Sequence, residues 1–135
     1  MNDSVAETTF GPLETYPDDN PKTVLGMAKP STFAIPPSAL IHLGGAMENG
    51  RKKYGLMNWR EKGVSASVYA DAAERHLMAW RDGEAIADDS GCHHLAHVMA
   101  CCAILLDAME CGTLNDDRPV PGPAGRMIAE RTAKT

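Results

Sequence analysis

The longest periodic pattern in this chain lies between residues 95 and 109, where apolar side chains recur at the three- and four-residue spacing of an α-helix. They are Leu95, Val98, Met99, Cys102, Leu105, Leu106 and Met109. Asp89 and Ser90 favour a helix start, and Gly112 favours a helix end. The pattern therefore predicts a helix from about residue 89 to residue 111.

Two more helices are predicted before this one. The sequence Pro36-Pro37-Ser38 favours a helix start, and apolar residues at helical spacing lead to a predicted end near Gly55. A second helical pattern begins at Ser65 or Ser67 and continues to Arg81. No region alternates with the period of a strand for long, so the predicted fold class is all-α.

Proline and glycine set the expected domain organisation. Six prolines lie between residues 12 and 37, a density that excludes a long helix or a central strand. We predict an extended proline-rich arm over residues 1–35, a compact helical domain over residues 36–112 and an irregular C-terminal tail over residues 113–135, with one short helix at residues 124–131. Three main helices bury little surface alone, so we expect a homo-oligomer.

The composition argues against several kinds of partner. A net charge of −5 is unfavourable for binding a nucleic acid polymer, whose phosphates need a basic surface. No apolar run reaches the roughly 18 residues that cross a bilayer, and the acidic, polar first residues do not resemble a secretory signal. We therefore expect a cytoplasmic protein, without a membrane partner and with its four cysteines reduced.

Common phosphate-binding and nucleophile motifs are absent from the sequence. It contains no G-x-x-x-x-G-K-[ST], no G-x-G-x-x-G after a strand and no G-x-S-x-G. A role in phosphate chemistry would have to use side chains and metal ions, because no backbone cradle for phosphates is present.

The ten residues from 51 to 60, RKKYGLMNWR, combine four cations, two large aromatic side chains and an amide. Aromatic rings stack on bases, lysine and arginine hold phosphates, and asparagine can pair with a base edge. The segment predicts a nucleotide site whose candidates are Lys52, Lys53, Tyr54, Asn58, Trp59 and Arg60. The alternative interpretation is a solvated helix end followed by a loop that Trp59 anchors.

The predicted second helix carries two further groups of candidates. Arg75 could face a phosphate beside His76, although a histidine on an apolar helix face is commonly a core residue and Arg75 could pair with neighbouring acids. Asp71 and Glu74 share one face because they are three residues apart, and two such carboxylates suit a divalent cation. An ordinary solvated helix face is the alternative.

The segment GEAIADDSGCHHLAH, residues 83–97, holds three carboxylates and three histidines. Asp88 and Asp89 are explained by a helix N-terminus alone, where negative charge is favourable. His94 and His97 lie one turn apart beside the apolar pattern, which is less easily explained. Glu84, Asp88, Asp89, His94 and His97 are therefore candidate metal-binding or catalytic residues, although no H-E-x-x-H motif of a metalloprotease is present.

Three motifs in succession are more specific than any one of them. They are K-Y-G-x-x-N-W-R, A-x-x-R-H-x-x-A-W-x-x-G-E and S-G-x-x-H-L-A-H. In this order and spacing they resemble a family of small phage and bacterial dATP/dGTP diphosphohydrolases, which are related to the MazG-like all-α nucleotide pyrophosphohydrolases. The resemblance covers about residues 29–109, and the chain looks like the members from phages that replace adenine with 2-aminoadenine.

The resemblance implies an activity and a set of partners. It implies hydrolysis of a purine deoxynucleoside triphosphate, dGTP or dATP, to the monophosphate and pyrophosphate, with Mg²⁺ or Mn²⁺, by a homodimer or homotetramer. On this hypothesis Glu84, Asp88, His94 and His97 are catalytic, and the nucleotide is bound by the candidates of residues 52–60 together with Arg75 and His76. The candidate metal ligands are Asp71, Glu74, Glu84, Asp88, Asp89, His94 and His97.

One departure from the related enzymes affects the metal ligands. MazG-like enzymes use E-x-x-E on one helix and E-x-x-D on the next, whereas this chain has Asp71-x-x-Glu74 and His94-x-x-His97. Histidine nitrogen suits softer ions than Mg²⁺, so either Mn²⁺ is used or the carboxylates of residues 84–89 contribute. Two alternatives remain open: a non-catalytic oligomeric module that binds a nucleotide or protein, and a metal phosphohydrolase that acts on monophosphates.

Overall fold

The computed structural model describes residues 16–135, so the first fifteen residues of the predicted arm lie outside the described part. Residues 16–135 form six helices and two very short strands, which confirms the all-α prediction. In chain order the elements are α1 (Pro21–Met27), α2 (Pro37–Tyr54), α3 (Trp59–Lys62), β1 (Val64–Ser65), α4 (Ala66–Arg81), α5 (His94–Cys111), β2 (Leu114–Asn115) and α6 (Ala124–Arg131).

Of the described part, residues 16–37 and residues Ser38–Thr135 belong to two separate compact units. The first unit contains α1, a helix inside the segment that we predicted as extended. The Asn20 side chain accepts a hydrogen bond from the Lys22 backbone N–H at 2.9 Å and caps this helix. Proline excludes a long helix here but not a seven-residue one, because Pro21 is its first residue, where no intrahelical donor is needed.

The second unit is organised around the pair α4 and α5. α2, α4 and α6 begin and end within one or two residues of the predicted positions. α5 ends as predicted, but it begins at His94, so the predicted start at Asp89 or Ser90 is wrong. These two residues lie in a turn of the α4–α5 loop, and His93 is the N-cap, whose ring accepts the Leu95 backbone N–H.

Small residues form most of the core. Within the described residues, six of the nine buried apolar ones are alanines: Ala46, Ala66, Ala87, Ala96, Ala100 and Ala108. On α5 the alanines pack towards α2 and towards Trp59 and Val64. The apolar stripe predicted for this helix is therefore only partly correct, because Leu106 and Met109 are 63% and 58% exposed. Alanine allows the backbones to approach closely, so the larger side chains point away from the contact.

The tail returns to the start of α4 through a two-residue parallel strand pair that the sequence did not predict. Val64 pairs with Leu114, and Ser65 pairs with Asn115. Asp117 then accepts the backbone N–H of Ser67 at 2.8 Å and also its hydroxyl group. Asp117 thus caps the first turn of α4 from fifty positions further along the chain. The local residues that the sequence predicted as caps do not have this role.

α5 has one property that the sequence analysis did not expect. By length and composition alone, it is the single helix within residues 16–135 that could cross a membrane. A helix at the centre of a small protein can have the same composition. The polar groups at its two ends are bonded to other elements, His94 to Glu84 and Asp107 to Trp59 and Arg60, which is what a helix packed within a protein requires.

We predict that Gly63→Ala destabilises the protein by roughly 1–3 kcal/mol or more, because Gly63 has a backbone conformation that only glycine readily adopts. An added Cβ would also lie 3.0 Å from the backbone oxygen of Thr113, which precedes β2. Gly45→Ala is the matched control, since it lies in the middle of α2 with nothing within 4 Å of the added Cβ. It should stabilise by about 0.5–1 kcal/mol. Urea unfolding of both variants measures the difference, and equal stabilities would contradict this account.

Candidate functional site

A cavity of about 420 Å³ lies in the second unit between α2, α4 and α5. This volume is within the usual range for a small-molecule site. Its apolar wall is formed by Ala46, Met47, Leu56, Met57, Val68, Ala72, Ala100, Cys101 and Ile104. Its polar lining includes Asn49, Arg51, Lys53, Tyr54, Asn58, Tyr69, His76, Asp89 and His97. A cavity with one apolar wall and a few polar groups can orient a ligand that has an apolar part and a charged part.

A sharp turn after α2 brings two predicted nucleotide-binding residues to the cavity. Gly55 has a φ of 97° and Met57 a φ of 47°, and the second value is unusual for a residue with a side chain. These angles reverse the chain between Tyr54 and Asn58, so both line the cavity. Tyr54 is 67% exposed, which leaves its ring accessible to a ligand.

Trp59 and Arg60 are fixed by one carboxylate of α5. Trp59 is 7% exposed, and its indole N–H donates to Asp107 at 2.7 Å. The Arg60 guanidinium donates to the same carboxylate twice, at 2.7 and 2.9 Å. Trp59 still lines the cavity, whereas Arg60 does not. This Asp107 clamp (Trp59, Arg60 and Asp107) therefore holds α3 on α5, which corresponds to the anchoring role considered for Trp59.

The Asp107 clamp predicts a pH dependence of stability. Hydrogen bonds from Arg60 and Trp59 lower the pKa of Asp107 from its ordinary value of 3.8 to about 2. A lowered folded-state pKa contributes stability above pH 3.8, and this contribution is lost as the pH falls through 2. Asp107→Asn should therefore lower the melting temperature at pH 7 by a few degrees, and the difference from the original chain should vanish between pH 4 and pH 2.

Asp116→Asn is the matched control for this experiment. Asp116 has a pKa of about 2 as well, but its partner is Arg118, two residues away in the exposed tail. A local pair of this kind ties no two elements together, so the control should change the melting temperature little. An equal loss in both variants would contradict the role assigned to the Asp107 clamp.

Three histidines and one glutamate form a bonded cluster at the α4–α5 contact. Glu84 Oε1 lies 2.5 Å from His94 Nε2, and His94 Nδ1 lies 2.8 Å from His76 Nδ1. The ring of His76 stacks on His97, with centroids 4.4 Å apart and planes 13° apart. His76 and His97 line the cavity, while His94 and Glu84 lie behind them. We call Glu84, His94 and His76 the histidine chain.

The α4–α5 loop holds this cluster in place. The His94 backbone N–H donates to Ala85 at 2.9 Å, and Ala87 donates to Cys92 at 2.9 Å, so the loop folds back onto the start of α5. Ser90 Oγ accepts the Cys92 N–H and lies 2.7 Å from His97 Nε2. Ser90 was predicted only as a helix cap, and its contact with His97 could not be found from the sequence, because it depends on the later start of α5.

Burial determines the electrostatics of the two cavity histidines. Burial lowers the pKa of His76, the His97 and His94 rings add to this effect, and Asp89 opposes it. Burial also lowers the pKa of His97, again opposed by Asp89, while Lys53 adds to the lowering. Both rings are therefore held in the neutral form at neutral pH, where an imidazole nitrogen can accept a proton.

The predicted metal ligands do not converge in the described structure. Within residues 16–135, no group of three or more His, Cys, Asp or Glu side chains is arranged to hold a metal ion. Asp71 and Glu74 lie exposed on α4, away from the cavity, and both ring nitrogens of His94 are hydrogen-bonded. Asp89 is the one predicted carboxylate that lines the cavity. A protein cage of several ligands is therefore not formed, but a single carboxylate is in position.

The remaining candidates separate into two sets. Lys53, Tyr54, Asn58, Trp59, His76, Asp89 and His97 meet at the cavity. Lys52, Arg60, Arg75, Asp71, Glu74 and Asp88 do not line it. The sequence analysis missed Tyr69, whose pKa is raised by burial and which lines the cavity from α4. The sequence did contain an indication of this, because Tyr69 lies on the same helix face as Ala72 and His76.

Comparison with known proteins identifies the family. Residues 19–118 match the family model described as "dATP/dGTP diphosphohydrolase, N-terminal". This chain belongs to the dATP/dGTP diphosphohydrolase family. The match extends over most of the chain and includes every residue that lines the cavity. No curated protein and no solved structure gives a significant match.

The family assignment agrees with the resemblance found in the three sequence motifs. The family is named for dATP and dGTP, so its name points to a hydrolase of deoxynucleoside triphosphates. The first motif supplies the turn at Tyr54 and Asn58, and the other two supply the histidine chain. Each of the three motifs thus contributes at least one residue to the lining of the cavity, such as Tyr54, His76 and His97.

Proposed function

We propose that the cavity binds a purine deoxynucleoside triphosphate, dATP or dGTP, and that the protein hydrolyses it to the monophosphate and pyrophosphate. The observation that carries this proposal is the lining of the cavity, in which an apolar wall and an accessible Tyr54 ring occur together with Lys53 and two neutral histidines. The family supplies the substrate class. The burial and charge of the side chains that line the cavity, and the volume of the cavity, are consistent with a bound nucleotide.

The base would lie against the side chains of the turn after α2. Tyr54 is free to stack on a purine, whereas the Trp59 indole N–H is held by Asp107. Asn58 is partly buried at the same turn, so its amide can donate to and accept from a base edge. We assign Tyr54 to stacking on the base and Asn58 to recognition of the base edge. Trp59 supports the turn that carries them.

The phosphates would lie near Lys53 and Asp89. Lys53 provides a positive charge at the cavity, which suits the triphosphate. We propose that the triphosphate enters with Mg²⁺ or Mn²⁺ as part of the substrate, since Mg²⁺ in phosphate chemistry is commonly held by one or two carboxylates together with the phosphates themselves. Asp89 is the carboxylate that would hold it, and the bound cation would neutralise charge on the phosphates.

Hydrolysis requires a water molecule to attack the α-phosphorus and pyrophosphate to leave. The attacking water must lose a proton, and a neutral histidine with a free nitrogen can accept it. Lys53 would stabilise negative charge on the departing pyrophosphate. The chain thus offers a cation for the leaving group and a proton acceptor for the water in the same cavity.

We also propose that the protein is a homodimer or homotetramer. No large side chain among residues 16–135 is fully buried, and several large apolar residues of α2 and α5 are exposed, including Ile41 at 77% and Leu106 at 63%. Exposed apolar surface of this kind commonly marks a protein contact. Leu106 and Met109 lie one turn apart on α5, so their outward face is a candidate subunit interface.

An interface on α5 can be tested with one double variant. Leu106→Lys combined with Met109→Lys should convert the oligomer to a monomer, because two buried charges would oppose association. Val120→Lys combined with Ile128→Lys changes equally exposed residues of the tail and is the matched control. Light scattering after size-exclusion chromatography measures the mass. A monomeric unmodified chain would contradict the proposal.

The activity is tested by incubating the protein with each deoxynucleoside triphosphate and Mg²⁺ or Mn²⁺. We expect pyrophosphate and the monophosphate from dATP or dGTP. Lys53→Ala should raise KM by about tenfold, which corresponds to a loss of roughly 1.4 kcal/mol of binding free energy. Lys62 is a cation outside the cavity, so Lys62→Ala should leave KM unchanged. The proposed function would be overturned if none of these nucleotides yielded pyrophosphate. It would also be overturned if the protein instead released orthophosphate from monophosphates.

A further inference from the structure

The histidine chain connects the cavity to solvent on its far side. His76 lines the cavity, His94 is 5% exposed and lies behind it, and the Glu84 side chain is 54% exposed beyond His94. Two hydrogen bonds, of 2.8 and 2.5 Å, link the three side chains in this order. Glu84 does not line the cavity, so the chain runs from the ligand side of the α4–α5 contact to the outside.

The chemistry of the three groups fixes the direction of both bonds. An ionised carboxylate can only accept, so His94 Nε2 must carry a proton and donate it to Glu84. When His94 is neutral, its other nitrogen, Nδ1, can then only accept. His76 Nδ1 must therefore be the donor across the 2.8 Å contact. In a neutral His76 this leaves Nε2 without a proton and with a free lone pair.

The surroundings of His76 keep that nitrogen available. His97 stacks on the ring face of His76 and is itself fixed by Ser90, so the two rings cannot easily rotate. Burial lowers the pKa of His76, which favours the neutral form that the bond directions require. The described hydrogen bonds of His76 use Nδ1 only. Its Nε2 is thus the basic atom that the chain leaves for the cavity.

We propose that His76 Nε2 is the general base of this site and that His94 and Glu84 are positioning residues, which fix the tautomer of His76 and stabilise the positive charge that it gains. This inference rests on the proposed hydrolysis of a triphosphate, for which it names the proton acceptor. The sequence had placed His76 only among nucleotide-binding candidates and had placed Glu84 and His94 among both the catalytic residues and the metal ligands. Their bonding to each other reassigns all three.

The step balances in atoms and charge. The water oxygen forms a bond to the α-phosphorus, and the bond from that phosphorus to the bridging oxygen of pyrophosphate breaks, so pyrophosphate leaves with the electron pair. The water proton moves to His76 Nε2. His76 then carries a proton on each nitrogen, while its Nδ1–H stays bonded to His94 and the His94 Nε2–H stays bonded to Glu84. The Nε2 proton passes to the departing pyrophosphate or to solvent in the cavity, which restores the starting tautomers.

The tautomer of His76 is measurable in the unmodified protein without any nucleotide. Two-bond ¹⁵N–¹H correlation spectra distinguish a ring protonated at Nδ1 from one protonated at Nε2. At pH 7.5 we expect a neutral His76 with its proton on Nδ1 and a neutral His94 with its proton on Nε2. A His76 protonated at Nε2, or at both nitrogens, would overturn the proposal. This result is independent of activity, so it separates failure of this inference from failure of the proposed function.

Kinetics of three variants test the catalytic role. His76→Asn keeps an amide near the position of Nδ1 but removes Nε2, so kcat should fall by about 100-fold or more while KM changes less than about threefold. Glu84→Gln should lower kcat by about tenfold or more through loss of tautomer control. His42→Asn is the matched control, since His42 contacts His93 at the other side of α5 and not the cavity. Circular dichroism and melting temperature establish that each variant is folded.

The outcomes are decisive in both directions. A large fall in kcat for His76→Asn, with an unchanged His42→Asn, supports the general base. A kcat within threefold of the unmodified enzyme for a folded His76→Asn would overturn it. An unmodified chain without turnover but with the expected tautomers would remove the proposed hydrolysis and leave the bond directions of the histidine chain established.

Discussion

The bond between Glu84 and buried His94 is the interaction on which the site depends. It ties the loop after α4 to the first turn of α5, and the second ring nitrogen of His94 holds His76 of α4. One imidazole therefore joins α4, α5 and the loop between them. Leaving either nitrogen of such a buried ring without a partner would cost free energy. Because both are satisfied, the ring can lie at the α4–α5 contact and orient the group that faces the cavity.

The small residues around this contact explain both the cavity and the exposed surface. Ala46, Ala96 and Ala100 allow α2 to approach α5 closely, and the cavity opens where α2 ends at Tyr54. Leu106 and Met109 of α5 then point outwards. A core composed largely of alanine contributes little hydrophobic free energy per residue. Burial between subunits would supply the remainder, which is why we connect this packing with an oligomer.

The sequence predicted most helices because periodicity and caps are local properties. α2, α4 and α6 were predicted within one or two residues, and the family was identified from three motifs. The start of α5 was wrong, because Asp89 and Ser90 favour a helix start as strongly as they favour the turn that they form here. The stripe on α5 was partly wrong, since the largest apolar residues were expected to face the core.

The site was predicted in composition but not in arrangement. The cluster of Lys53, Tyr54, Asn58, Trp59 and His97 at one cavity follows from motifs that each fold locally. The sequence could not show that His94 lies between Glu84 and His76, because this depends on how α4 and α5 pack. It also could not separate Lys53, which lines the cavity, from its neighbour Lys52, which does not.

The central claim is that the cavity presents a triphosphate to His76. A crystal structure with the non-hydrolysable α,β-methylene analogue of dGTP and Mg²⁺ tests it most directly. We predict that the base lies on Tyr54, that the α-phosphate lies nearest His76 with one water between them, and that the Glu84–His94–His76 bonds remain intact. A nucleotide bound elsewhere, or Glu84 and His94 separated to hold the cation, would contradict the account.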